Sequence, residues 1–291
     1  MLSILIPTYN CACVQLAEEL SRQAATLGAT VEIVVVDDAS TDASVVKENC
    51  RINDIENCRF VRLEKNIGIA KMRNRILQEA KYQWILCLDA DVFPAHADFL
   101  RLYAEEIGKA DVVCGGLAYR TDGPTRVNAL RYKYGVSHEV RPLAERQANP
   151  YQSFKTSNYL INSKISKAIA FDESFAQYGH EDTLFGKMLQ QSGVAIKHIQ
   201  NPVYHDDNDT AEQFLTKTRK GIDNLLSHSD QLSGYSRLLR TYKKLKRLCL
   251  ASLISFIFRK LRHRIERNLL SDNPSMRYFG FYKIGYMCTI G

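Results

Sequence analysis

The chain has 291 residues, 45% of them hydrophobic and 24% charged, enough for one large α/β domain with an appendage or for two small domains. Its net charge of +7 is unevenly placed. Residues 235–270 hold eleven Lys/Arg against Glu266 alone, +10, and the remaining 28 basic and 31 acidic residues leave −3. The longest nearly uncharged apolar run, Leu248 to Phe258, has eleven residues, short of the roughly 20 that cross a bilayer. Met1 is followed at once by Leu-Ser-Ile-Leu-Ile-Pro, so no secretory signal is expected. The eight cysteines form no C-x-x-C pair and no zinc-finger spacing with histidine, which points to free thiols in a reducing cytoplasm.

The first half alternates strand and helix patterns. Leu2–Ile6 reads as a short buried strand, and Val14–Leu27 as a helix that stops at Gly28. A β-branched run, Glu32–Val36, ends in Asp37-Asp38 and is followed by a short helix over Asp42–Asn49. Arg59–Leu63 is a third strand, Ile69–Lys81 a helix, Trp84–Leu88 a fourth strand and Asp98–Ile107 a helix, before the strand-like Asp111–Cys114 and Gly115-Gly116. The pattern loosens between Tyr119 and Pro150, where a long loop or a short irregular helix fits. Order returns with Ser153–Ile161, a helix starting near Asp182, a strand over Val194–Ile199 and a helix over Ala211–Leu226. Gly234 then introduces a long basic helical segment. Uninterrupted apolar strands alternating with helices predict a parallel sheet covered on both faces. In such sheets ligands bind beyond the strands' carboxyl ends, and Asp37, Asp38, Asp89 and Asp91 fall there.

The chemistry-bearing motifs each carry a bland alternative. Asp89-Ala-Asp91 directly follows a strand. Two carboxylates separated by one small residue can share a divalent ion that neutralises a diphosphate, and Ala90 leaves room for a ligand near the backbone. Alone, such a D-x-D is as readily a polar loop. A phosphatase nucleophile motif is disfavoured because Phe93 stands where such enzymes carry Thr. Pro7-Thr-Tyr-Asn10 and Asp37-Asp-Ala-Ser-Thr-Asp42 offer Asp38 as an acceptor for a base N–H and Tyr9 as a ring cover, although Asp42 or Ser40 also suits a helix cap. No G-x-G-x-x-G follows the first strand, which disfavours a nicotinamide or flavin fold. Asn66-Ile-Gly68 leads into a helix carrying Lys71 and Arg73, so N–H groups and a cation can meet a phosphate there. Gly179-His-Glu-Asp182 places carboxylates at a helix start, either as simple capping or as a fixed proton acceptor. His205, beside Asp206-Asp207, is a possible metal ligand.

Together these pieces resemble the family-2 glycosyltransferases, which have the GT-A fold. The resemblance covers about residues 1–230 and rests on Ile6-Pro-Thr-Tyr-Asn10, Val35-Val-Asp-Asp-Ala-Ser40, Asn66-Ile-Gly68 with Ala70 and Arg73-Asn74, Leu88-Asp-Ala-Asp91 and Gly179-His-Glu-Asp182. Gly115-Gly116, Phe154-Lys-Thr-Ser-Asn158 and Asn201-Pro-Val-Tyr-His205 look like bacterial members that build surface polysaccharides. The resemblance implies an α/β fold with a mainly parallel sheet and a C-terminal helical extension. It divides the chain into a nucleotide-sugar half (1–118), an acceptor half (119–230) and a basic tail (231–291). It further implies an inverting transfer from a nucleotide-diphosphate sugar, UDP favoured, to a glycan or lipid-linked hydroxyl. The sugar is a hexose or N-acetylhexosamine, and Mn²⁺ or Mg²⁺ is required. Pro7, Tyr9, Asp38, Asn66, Gly68, Arg73, Asp89 and Ala90 would bind donor. Asp91, with Asp89 and His205, would bind metal. Asp182 would be the base, and Glu181, Asn158 and His180 would serve the acceptor. Many relatives carry a longer acceptor-binding or membrane-spanning region after the helix at Asp182, so a channel-forming synthase is not expected.

Residues 235–270 read as a basic amphipathic helix able to lie on an anionic membrane, which would make the enzyme peripheral on the inner face of the cell membrane. Packing on its own domain or on a partner subunit is the plainer alternative. No nucleic-acid recognition module accompanies the charge. Two other functions compete: a sugar-nucleotide nucleotidyltransferase, disfavoured because Pro7-Thr-Tyr-Asn10 replaces the Gly-rich phosphate loop such enzymes carry, and a non-catalytic membrane-bound scaffold.

Overall fold

A computed structural model describes residues 1–120, 128–175, 179–205 and 209–291. In chain order the elements are β1 (Leu2–Thr8), α1 (Val14–Thr26), β2 (Val31–Asp37), α2 (Ala43–Asn49), β3 (Cys58–Arg62), α3 (Ile69–Leu77), β4 (Trp84–Leu88), β5 (Val92–Pro94), α4 (Phe99–Ala104), β6 (Val112–Cys114), β7 (Leu117–Ala118), α5 (Ala129–Tyr134), α6 (Leu143–Ala148), β8 (Asn158–Asn162), α7 (Ser163–Ala168), α8 (Glu181–Gln191), β9 (Ile196–His198), β10 (Val203–His205), α9 (Ala211–Ser227), α10 (Arg237–Arg247), α11 (Ala251–Leu269) and α12 (Met276–Ile290).

The chain forms two compact units. The first comprises Met1–Ala118, Arg141–Ala176 and Phe185–Asp206. Its main sheet has the strand order β3-β2-β1-β4-β8-β6-β9. The pairs β1–β2, β2–β3, β1–β4 and β6–β9 are parallel, while β8 runs antiparallel to both β4 and β6. The sheet is mainly parallel, as expected, with β8 its one reversed strand. β8, Asn-Tyr-Leu-Ile-Asn, is buried over four of its five residues. A strand buried on both faces gives no alternation from which direction could be read. Ile4, Ile6, Ile33 and Val35 face α1 and α4, joining Leu16, Leu20, Phe99 and Tyr103 in one core. The alternate residues Leu5, Val34 and Cys87, also buried, face the other way. Because β1, β2 and β4 are parallel, Thr8, Asp37 and Leu88 all end at the same edge. A second sheet of three short strands, β5-β10-β7, follows from that edge. Three-residue strands leave no period to detect, and the sequence gives no hint of it.

The second unit comprises Tyr119–Val140, Gln177–Leu184 and Asp207–Gly291. This unit is interleaved in sequence with the first. The reason is a shared core: Phe214 and Leu215 of α9 pack with Leu130 of α5, Phe258, Ile265 and Leu269 of α11 and Phe279 and Tyr282 of α12. Between Tyr119 and Pro150 the described residues are more helical than the sequence suggests, with α5 running into a π-helical turn over Gly135–Glu139 before α6. The basic tail is also not one helix. After α10 the chain closes a Schellman turn, with the Cys249 N–H donating to Lys246 O (3.0 Å) and the Leu250 N–H to Leu245 O (2.9 Å). Cys249 takes the left-handed conformation (φ +57°) that glycine usually supplies at this position, so no sequence signal marked the break. Among the described residues no helix is long and apolar enough to cross a membrane.

Candidate active site

Three loops meet at the carboxyl edge of β1, β2 and β4. Asn10, in a left-handed conformation (φ +51°), fastens the first to the second. Its N–H donates to Ser40 Oγ (2.7 Å), and its Oδ1 accepts from the N–H groups of Thr41 (2.9 Å) and Asp42 (3.0 Å). Pro7 is half-buried, and Tyr9 projects outward with 48% of its surface exposed. Asp37 is wholly buried and internal in its bonding: it accepts from the Ser40 N–H at 3.1 Å and lies 3.4 Å from Arg62 Nε. Asp42 caps α2 by accepting from the Ser44 N–H (2.9 Å).

Asp38 is also buried, and its carboxylate accepts from the N–H groups of Ile67 (2.8 Å) and Gly68 (3.1 Å). The Asn66 amide returns to Asp38 O at 3.0 Å. Burial pushes the Asp38 carboxyl above its usual range, and the two backbone donors oppose that shift. The N–H groups of the turn just ahead of α3 therefore serve Asp38. Asp38 has organised the loop and still has lone pairs to spare.

Arg73 also bonds within the protein. Its side chain is 8% exposed and its Nη2 donates to Asp89 Oδ1 at 3.0 Å. Its guanidinium carbon lies 6.0 Å from the centre of the Phe171 ring. It orients the first acid of Asp89-Ala-Asp91. The Asp89 N–H donates to Ser157 O (3.3 Å), and Ala90 is half-buried against the core. Nothing in the sequence joins Arg73 to Asp89, which lie sixteen residues apart.

The second acid meets a histidine. β5 pairs antiparallel with β10 in the register His205↔Val92, Tyr204↔Phe93, which sets His205 beside Asp91. Its Nε2 is 3.4 Å from Asp91 Oδ2, and the side chains are 12% and 38% exposed. Two ligands about 2.1 Å from one cation, at angles between 90° and 109°, stand roughly 3.0–3.4 Å apart. A carboxylate–imidazole pair at this spacing fits a divalent ion. Among the described residues no third His, Cys, Asp or Glu joins them. Asp206 and Asp207 lie outside the described residues.

Asn158 sits inside a hydrogen-bond network of the first unit. It is 2% exposed. Its Nδ2 donates to Gly116 O (3.0 Å) and Asn201 O (2.9 Å), and its Oδ1 accepts from the Tyr103 hydroxyl (2.6 Å). Its two donated bonds hold the segments after β6 and β9.

The second unit carries the other candidates. Gly179 (φ +104°) and His180 (φ +72°) are consecutive left-handed residues ahead of α8; a non-glycine there is backbone strain of the kind found at functional sites. A Cβ on Gly179 would lie 3.3 Å from Gly221 Cα, so this turn runs close against α9. Asn224 Nδ2 donates to Gly179 O at 2.7 Å. These two α9 residues fix the start of α8, and sequence reading missed both. Glu181 is buried, whereas Asp182 is half-buried, with its Oδ1 accepting from the Thr183 N–H (2.6 Å) and hydroxyl (3.1 Å).

The sequence profile of glycosyl transferase family 2 matches residues 3–165, which contain the Asp38, Arg73, Asp89 and Asp91 loops. The chain belongs to this family. It is 26% identical over 247 residues to an uncharacterized glycosyltransferase of Haemophilus influenzae, covering 78% of this chain and 76% of that one. It is 25% identical over 245 residues to the chondroitin synthase of Escherichia coli, covering 71% of this chain but only 34% of that protein's length. Among solved structures it resembles glucosyl-3-phosphoglycerate synthase from Mycobacterium tuberculosis, solved with Mn²⁺, UDP and glucosyl-3-phosphoglycerate. The TM-score is 0.53 at 17% identity, covering 78% and 79% of the two chains. The fold is GT-A, and the family acts as nucleotide-sugar glycosyltransferases.

Proposed function

We propose that the chain is an inverting, divalent-metal-dependent glycosyltransferase using a UDP-sugar, a hexosyl or N-acetylhexosaminyl donor, to extend a glycan or lipid-linked acceptor in bacterial polysaccharide synthesis. The observation that carries this reading is the convergence of Asp91 and His205, residues 114 positions apart that the β5–β10 register brings together. Asp91 and His205 would hold Mn²⁺ or Mg²⁺, and Asp89, held by Arg73, would contact ribose or metal. The ion, when bound, offsets the charge of the diphosphate leaving group. Tyr9 and Pro7 cover the base, and Asp38 accepts from it with its remaining lone pairs. Asp182 removes the acceptor hydroxyl's proton as the acceptor oxygen bonds to C1 and the C1–phosphate oxygen bond breaks, one displacement that inverts C1. Glu181 and His180 orient the acceptor. The relatives' descriptions support the donor class and the metal, and the synthase relative supports a polysaccharide product. We place the enzyme in the cytoplasm, attached to the inner face of the membrane through its basic tail.

A donor screen by mass spectrometry with Mn²⁺ and a polyprenyl-linked acceptor pool tests this. The expected result is transfer from one UDP-sugar, lost in Asp182→Asn while UDP binding survives. Turnover of UTP with a sugar-1-phosphate would instead establish a nucleotidyltransferase. Donor hydrolysis unaffected by Asp182→Asn would establish a scaffold that keeps the fold.

A further inference from the structure

The two faces of α11 are both apolar near its start, but only one is used. Phe256 and Phe258 lie two residues, about 200°, apart on the helix. Phe258 is 1% exposed and so close to α12 that a Cβ on Gly285 would meet its ring at 2.5 Å. Phe256 is 60% exposed, and with Leu253 (52%), Leu248 (53%) and Leu250 (39%) it forms an uncovered apolar cluster around the α10–α11 turn. Clusters of this kind on a soluble surface mark an interaction site.

The surroundings identify the partner. Lys244, Arg247, Arg259 and Lys260 are all exposed near the turn, and Lys260 Nζ lies 5.8 Å from the Phe256 ring centre. No Asp or Glu occurs between residues 231 and 265. An apolar tip rimmed only by cations complements a surface with a negative outer layer over hydrocarbon. Lysine stems and aromatic rings are stable at that boundary, with charge in the headgroups and apolar atoms below.

We propose that the α10–α11 corner enters the headgroup layer of an anionic membrane, with Leu248, Leu250, Leu253 and Phe256 as the inserting residues and the flanking cations as the lipid-phosphate contacts. This rests on reading the tail as membrane contact and sharpens it. The break at Cys249 points one corner at the bilayer, where an unbroken amphipathic helix would lie flat along it, and the opposite face of α11 is spent on the protein's own core.

The test uses the full chain with vesicles of phosphatidylcholine alone or containing 30% phosphatidylglycerol. Co-sedimentation is expected only with the anionic vesicles, weakening as salt rises. Leu253→Ser/Phe256→Ser should lower partitioning at least tenfold with an unchanged melting temperature. Arg259→Gln/Lys260→Gln should erase the preference for anionic lipid. Tryptophan emission of Phe256→Trp should shift to the blue on adding anionic vesicles. Absence of that shift, or unaltered binding by the serine variant, overturns the proposal. So does a shift that appears without vesicles and grows with protein concentration, which would make the cluster a contact between copies. UDP titration of the same preparations keeps the readings apart: vesicle binding without UDP binding would sink the transferase alone, and the converse would sink only the membrane corner.

Discussion

Replacing His205 by alanine separates metal binding from folding. His205 ends β10, the middle strand of a three-stranded sheet paired on both sides by backbone hydrogen bonds. Truncating its imidazole leaves that pairing intact, so stability should change by less than about 1 kcal/mol. Binding should change far more. Asp91 and His205 stand at metal-ligand spacing, and among the described residues no group of three such side chains does. Losing a group that merely supports a ligand costs about 10–100-fold in metal affinity. Losing the ligand itself should cost about 100-fold or more, close to 2.7 kcal/mol. The assay is calorimetric titration of UDP into protein with MnCl₂ and with EDTA. The wild type should bind UDP much more tightly with Mn²⁺, and in His205→Ala most of that difference should vanish. An equal Mn²⁺ enhancement in the variant would refute the pairing of Asp91 with His205 as a metal site.

Other outcomes follow from the same geometry. Arg73→Met strips the buried partner from Asp89; breaking a buried pair costs about 3–5 kcal/mol, and the 22% exposure of Asp89 reduces this to about 2–3, read as a fall in Tm of roughly 5–10 °C. Asn158→Ala leaves Gly116 O, Asn201 O and the Tyr103 hydroxyl without this partner and should cost about 3 kcal/mol in chemical denaturation, with acceptor KM unchanged for the folded fraction. Asn224→Ala should lower kcat several-fold with UDP affinity intact, because it loosens the start of α8. His198 is kept neutral chiefly by burial; Arg146 Nη1 donates to its Nδ1 (3.3 Å), and its Nε2 donates to Pro150 O (2.9 Å). Its pKa is lower folded than unfolded, so the unfolded chain takes up more protons. Stability is therefore full above about pH 6.5 and declines as pH falls below it. Scanning calorimetry from pH 7.5 to 5.5 should show a falling Tm, with a flatter slope in His198→Gln.

The order of strands and helices, the carboxyl-edge placement of Asp38, Asp89 and Asp91 and the family itself were legible in the residues. Each depends on local periodicity or on a short contiguous motif. The direction of β8 and the three-stranded sheet were not, because a fully buried strand and a three-residue strand carry no readable period. Roles that depend on a distant partner were equally hidden. The fold alone sets Arg73 against Asp89. It alone joins Asn158 to Tyr103, Gly116 and Asn201. His205 was one histidine among seven until β5 and β10 paired. The +10 charge of residues 235–270 was determined by sequence, yet only packing could divide it. Side chains 200° apart on α11 share the same chemistry, and the core that claims Phe258 and not Phe256 is assembled from α5, α9 and α12, far along the chain.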